Sequence, residues 1–174
     1  PGTRTTDEKG IHHFHGHPAL SAEIAQDVLR RLKFDNHTIS MVTKLVKYHD
    51  QKVLPEPVYV RRAILQIGED TFPLLYDVKL ADLKAQSSFR RREKEENLEE
   101  IYRIYRQIMS EGQCVCLKTL AVSGQDLIDE AGMKPGRELG RTLQRLLDMV
   151  IENPSLNTRE TLLKIVMNCT PEFK

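Results

Sequence analysis

The sequence predicts an all-α protein with a short extended hairpin at its N-terminus and a small helical tail. Three observations point there. Apolar residues recur at helical spacing through almost every segment after residue 17. Proline and glycine fall at the starts and ends of those segments rather than inside them. Of the 174 residues, 40% are apolar and 29% charged, enough for one good core or a core with a small appended subdomain.

The elements follow in chain order. Thr5 to Ile11, with Gly10 assisting the turn, reads as a hairpin leading into His12-His13-Phe14-His15. A helix from about Pro18 to Leu32 carries Leu20, Ile24, Val28 and Leu32 as a core stripe, with Pro18 suited to its first turn. A second, from about Asp35 to His49, buries Ile39, Val42, Leu45, Val46 and His49. Pro57 opens a third that Gly68 closes, and Asp70 is expected to cap a fourth holding Leu75, Val78 and Asp82. A long charged helix runs from about Ser88 to Ser110 with Leu98, Ile101, Tyr105 and Ile108 inward, ending in the Gly112 region. Leu120, Val122, Leu127 and Ile128 begin a compact tail. The expected division is residues 1–17 extended, 18–111 helical body and 112–174 tail.

Charge and cysteine content narrow the class. Lys and Arg number 26 against 25 Asp and Glu, so attraction for nucleic acid must come from local clustering rather than from the net charge of +1. Cys114, Cys116 and Cys169 fit neither a disulfide framework nor a four-ligand zinc pattern, which points to a reducing cytoplasm. No apolar run approaches the roughly 18 residues of a membrane span. The start of the chain has no signal-peptide apolar core.

His49 and Asp82 fall where helical periodicity calls for apolar residues. A carboxylate buried there needs a partner. Two readings stand: a buried His–Asp hydrogen bond, or a site for a divalent metal shared by His17, His49 and Asp82. His13, His15 and His17 would alternate onto one strand face, but Gly16-His17-Pro18 should bend the chain away just where the third ligand is needed.

One ordered set of motifs carries a resemblance. It begins with Asp7-Glu8-Lys9-Gly10-Ile11-His12-His13-Phe14-His15-Gly16-His17, Ser21-Ala22-Glu23-Ile24-Ala25 and Arg31-Leu32-Lys33-Phe34. It continues through Ala81-Asp82-Leu83-Lys84-Ala85-Gln86 and Leu120 to Ile128. It ends with Gly132 to Gly140, Leu146 to Val150 and Asn157. Together these resemble the HD-type neck and body region, plus tail, of bacterial CCA-adding tRNA nucleotidyltransferases.

The resemblance implies an HD-like helical body, tRNA as partner, and a C-terminal fragment whose catalytic head lies upstream of Pro1. That head would use magnesium with ATP and CTP, so this chain alone is expected to transfer no nucleotides and to hold no catalytic residue of that reaction. His17, His49 and Asp82 would then be later ligands of an incomplete HD-type site. A rival reading takes His17, the His49-Asp50 doublet and Asp82 as an intact metal-dependent HD phosphohydrolase acting on a phosphate ester. Against it, Gln51-Lys52-Val53-Leu54-Pro55 does not continue as that family does. A third reading is a structural or dimerising helical module, and the resemblance leaves room for an oligomer.

Two basic groups are the candidate RNA contacts. Gly132 and Gly136 flank Lys134-Pro135 in a turn similar to the phosphate-gripping turn of helix-hairpin-helix motifs. Beyond it, Arg137, Arg141 and Arg145 line one helix face, opposite Leu139, Leu143, Leu146 and Val150. The alternative is a solvated face paired with Glu138 and Asp148. Arg90, Arg91 and Arg92 form the second group, where positive charge opposes the helix dipole. Either an anionic partner or the following glutamates would compensate.

Overall fold

A computed structural model describes residues 4–6, 12–14, 17–85 and 90–168. The expected turn over Asp7–Ile11, His15 of the histidine alternation, Ser88 and Cys169 lie outside the described residues. Eight α-helices make up nearly all of what is described: α1 (His17–Arg31), α2 (Asn36–Tyr48), α3 (Pro57–Ile67), α4 (Phe72–Ala85), α5 (Arg91–Ser110), α6 (Gly124–Asp129), α7 (Arg137–Glu152) and α8 (Arg159–Asn168). Short 3₁₀ turns occupy Leu117–Thr119 and Pro154–Leu156. Two three-residue strands, β1 (Arg4–Thr6) and β2 (His12–Phe14), pair antiparallel with Thr5 opposite His13. Among the described residues no helix is long and apolar enough to cross a membrane.

The chain divides into two compact units. The first comprises Pro1–Val53 and Ile67–Tyr102, the second Leu54–Gln66 and Arg103–Lys174.

In the first unit α1 packs on α2, and α2 on α4. Asp35 caps α2, accepting from the Thr38 N–H at 3.0 Å and from its hydroxyl at 2.6 Å. Helix α1 ends on Lys33 at φ 61°, with Phe34 N–H returning to Leu29 O at 3.1 Å and Lys33 N–H to Arg30 O at 2.9 Å. This is the left-handed closing turn that usually takes glycine. Ala22, Ile39, Ile67, Phe72, Leu75 and Leu98 are buried, and Tyr76 stacks on Tyr102 with ring centres 4.4 Å apart. Two lysines satisfy helix C-termini: Lys44 Nζ donates to Ile67 O at 3.1 Å, and Lys79 Nζ to His49 O at 2.8 Å and Gln51 O at 2.7 Å.

Three expectations are corrected here. The stripe Leu20, Ile24, Val28, Leu32 does not enter the core: these side chains are 41, 55, 36 and 59% exposed, and α1 turns Ala22 inward instead. The small alanine lets α1 lie close on α2, and the larger residues are left outside. Asp70 does not cap α4, because Gly68 at φ 103° turns the chain and its carbonyl accepts from the Thr71 and Phe72 N–H groups at 3.2 and 3.0 Å. Asp82 is exposed rather than buried. Phe72 and Leu75, in the first turn of α4, are the residues of that helix fully buried in the core.

The second unit is built around α7. Leu146, Leu147, Val150 and Ile151 of that helix meet Leu127 of α6, Leu162, Leu163 and Val166 of α8, and Cys114, Leu120 and Val122 from the connecting segment. Complete burial of a Leu or Ile side chain contributes about 1.5–3 kcal/mol, so this cluster is the main source of cohesion. Gly124 of α6 faces α7: a Cβ there would stand 3.4 Å from Leu139 Cδ2, in ordinary van der Waals contact. Ser123 and Asp126 form a reciprocal capping box on α6. Asn157 ties the loops together, its Oδ1 accepting from Ala121 N–H at 2.8 Å and its amide donating to Thr119 O at 3.1 Å. Helix α5 ends at Gly112, φ 62°, with Gln113 N–H on Ile108 O and Gly112 N–H on Met109 O. On that helix Leu98, Ile104 and Ile108 are buried, whereas Ile101 and Tyr105 are half-buried.

Candidate functional site

The glycine-flanked turn between α6 and α7 has the backbone its sequence suggests. Gly132 adopts φ 65°, and Met133 N–H returns to Leu127 O at 3.1 Å. Gly136, the residue before α7, sits at φ 151° and ψ −167°, a conformation open in practice only to glycine. No side chain caps α7, so its first-turn N–H groups stay open where the helix dipole is positive. The helix begins at Arg137. Lys134, Pro135, Gly136 and Arg137 are all exposed, and a Cβ on Gly136 would meet nothing within 4 Å.

Along α7 the basic row faces solvent. Arg137, Arg141 and Arg145 are exposed while Thr142, Leu146, Leu147, Val150 and Ile151 are buried behind them. Arg141 Nη1 donates to Glu138 Oε1 at 2.6 Å, so one cation of the row is already neutralised in part. Asp148 accepts from Gln144 at 3.1 Å. Arg137 and Lys134 form no ion pair among the described residues.

Arg90, Arg91 and Arg92 are differently placed. Arg90 Nε donates to Glu93 Oε2 at 2.7 Å and Arg92 Nε to Glu96 Oε1 at 2.8 Å. These hydrogen bonds, with the glutamate charges behind them, raise both arginine pKa values. Arg91 reaches back to Lys84 O at 3.4 Å. The glutamates of α5 therefore compensate Arg90 and Arg92.

Of the three metal-ligand positions, two have described side chains. His49 is half-buried, its Nδ1 2.7 Å from Val46 O, and Asp82 is exposed. His17 opens α1, and its side chain lies outside the described residues. Among the described residues no group of three His, Cys, Asp or Glu could hold a metal ion. The cation found near the doublet is the Lys79 ammonium. Burial lowers its pKa, and Asp50 and Asp82 oppose that effect. Cys114 Sγ and Cys116 Sγ both lie against the Thr119 hydroxyl, at 3.5 and 3.6 Å.

A third basic group has no counterpart in the sequence reading. Arg30 of α1 and Lys44 and Lys47 of α2 line one cavity of about 380 Å³. Its signal in the sequence is a polar stripe on α2, Asn36, Ser40, Thr43 and Lys47, at successive helical turns. That signal is weak because its cations are isolated in sequence, unlike the groups at 90–92 and 137–145.

The chain matches the family model described as tRNA nucleotidyltransferase domain 2 over residues 4–166. It is 29% identical over 153 residues to a CC-adding tRNA nucleotidyltransferase of Thermus thermophilus, covering 87% of this chain and 33% of that protein. The chain thus spans about a third of the length of that curated relative. No solved structure matches it.

Proposed function

The chain belongs to the tRNA nucleotidyltransferase domain 2 family, and from that premise we propose that it is the tRNA-gripping body and tail of an enzyme that matures or repairs tRNA 3′ ends. The observation that carries this reading is the exposed row Lys134, Arg137, Arg141, Arg145 running from the uncapped, glycine-built start of α7. Helix N–H groups and a line of cations on one rigid face suit phosphates along a backbone and read no bases. An enzyme that must accept many tRNAs needs that kind of recognition, by shape and by phosphate and sugar contacts.

The first unit is proposed as an HD-like body, without a complete metal site. Its outward stripe Leu20, Ile24, Val28 and Leu32 is where the upstream catalytic head of the whole enzyme is proposed to pack. Leu20, Ile24 and Val28 in line on α1, with Leu32 just beyond its end, are more than scattered surface hydrophobes. Nucleotide transfer is assigned to that head, so this chain serves as its tRNA clamp in the cytoplasm.

The test is binding of a labelled tRNA lacking its CCA end, followed by fluorescence anisotropy against an unstructured RNA of equal length. The expected result is tighter binding of the tRNA, weakening as salt rises from about 50 to about 200 mM. Equal affinity for the unstructured RNA would reject recognition by shape.

A further inference from the structure

The cavity between α1 and α2 is lined by three cations and by no carboxylate. Its lining includes Arg30, Lys44 and Lys47 with the polar groups of Asn36, Ser40 and Tyr48, and contains no carboxylate. Many cations elsewhere are matched: Arg62 by Glu152, Arg90 by Glu93, Arg92 by Glu96, Arg141 by Glu138, Arg159 by Asp126 and Glu130, and Lys164 by Glu160. In a chain with 26 basic and 25 acidic residues, a cavity lined by three cations and no acid is one whose charge an anion would balance.

The three are held in different ways. Lys44 Nζ is fixed by its hydrogen bond to Ile67 O, which uses one of its three protons. Lys47 Nζ lies 5.3 Å from the centre of the Tyr48 ring, a cation–π contact that leaves its protons free to donate. Arg30 makes no ion pair among the described residues and offers its planar fork of donors. Hydroxyl and amide groups beside them add donors that are neutral, and so suit a phosphate as well as the cations do. At about 380 Å³ the cavity has room for a phosphate together with the sugar that carries it.

We propose that this cavity is a phosphate site, holding one backbone phosphate of the bound RNA. The RNA assignment rests on the function proposed above. The phosphate assignment rests on the cavity alone. The site gives the first unit its own grip on the backbone, separate from the row on α7.

Two measurements on the 174-residue chain test it. The first is titration with inorganic phosphate, followed by amide NMR shifts, on wild type and on an Arg30→Gln/Lys47→Gln variant. Saturable shifts at Ser40 and Lys47 in the wild type, absent at the equivalent positions of the variant, are expected. Shifts that do not saturate, or that survive in the variant, overturn the phosphate site. The second compares the salt dependence of binding to tRNA lacking CCA. The variant should lower the slope of log affinity against log salt by about one, the value for the one lost phosphate contact. An unchanged slope in the variant, beside a lowered slope in an α7 variant, overturns the RNA assignment here and leaves the proposed function standing. Wild type that saturates with phosphate but binds no tRNA overturns the RNA assignment together with the proposed function.

Discussion

The buried guanidinium of Arg61 donates through Nε to the carbonyl of Ile151 at 2.7 Å. The same side chain reaches Gln113 Oε1 at 3.0 Å and Glu152 O at 3.5 Å, so one arginine satisfies the end of α7 from within the second unit. Burial lowers its pKa and the Glu152 charge opposes that, yet an arginine remains protonated throughout the working range. The helix whose N-terminus carries the proposed RNA contacts is thus anchored at its other end.

Replacement of Arg61 by Met keeps much of the volume and removes every donor. Carbonyls left buried without partners cost about 1–3 kcal/mol each, so the variant should lose about 2–4 kcal/mol in urea unfolding. A loss below about 0.5 kcal/mol would mean that water serves the carbonyls equally well.

Two helix ends predict opposite signs. Gly112, at φ 62°, should cost about 1 kcal/mol when changed to Ala, since the left-handed conformation penalises a Cβ. Lys33, at φ 61°, already bears that penalty, and Lys33→Gly should stabilise by about 0.5–1 kcal/mol. Thermal midpoints of the two variants, moving in opposite directions, are the measurement.

Much of this is legible in the sequence, and the exceptions have causes. Gly112 and Pro57 mark helix ends because the backbone itself demands them, and the burial of Leu127, Leu146 and Val150 follows from strong amphipathic spacing. Helix α4 scatters its charged residues Asp77, Lys79, Asp82 and Lys84 around its circumference, so its weak periodicity could not say that Asp82 would face solvent. Helix α1 has a clear stripe, but no pattern reveals whether the partner of a stripe is present. Thr142, buried at 1%, escapes a reading by periodicity because a hydroxyl on a leucine-rich face has no sequence signal. For the candidate site, glycine and arginine spacing locates the α7 row. The ion pairs of Arg90 and Arg92 and the cavity between α1 and α2 depend on rotamers and helix packing that spacing does not encode.

Acid should weaken the second unit through Asp126. Its carboxylate accepts from the Ser123 hydroxyl and N–H and from Arg159, which lowers its pKa from 3.8 to about 2. A folded-state pKa below the unfolded one gives stability that is present above about pH 4 and is lost as pH falls through about 2. The urea midpoint of wild type should therefore fall more steeply over that window than that of Asp126→Asn. Parallel profiles would refute the assignment.

The outward stripe of α1 makes a separate prediction. Leu20→Ser and Ile24→Ser should each change unfolding free energy by less than about 0.5 kcal/mol, as surface substitutions do. Binding of a hydrophobic dye should fall in both. A loss of about 2 kcal/mol or more in either would show that the stripe is covered within this chain.

The most direct measurement is the salt dependence of affinity for tRNA lacking its CCA end, compared between wild type and an Arg137→Ala/Arg141→Ala/Arg145→Ala variant. Because Arg141 is partly engaged by Glu138, the slope should fall by about two rather than by the roughly three expected for three phosphate contacts. Weaker binding with that smaller slope is the expected result. Equal affinity and equal slope in the two proteins would contradict the assignment of α7 as the tRNA rail.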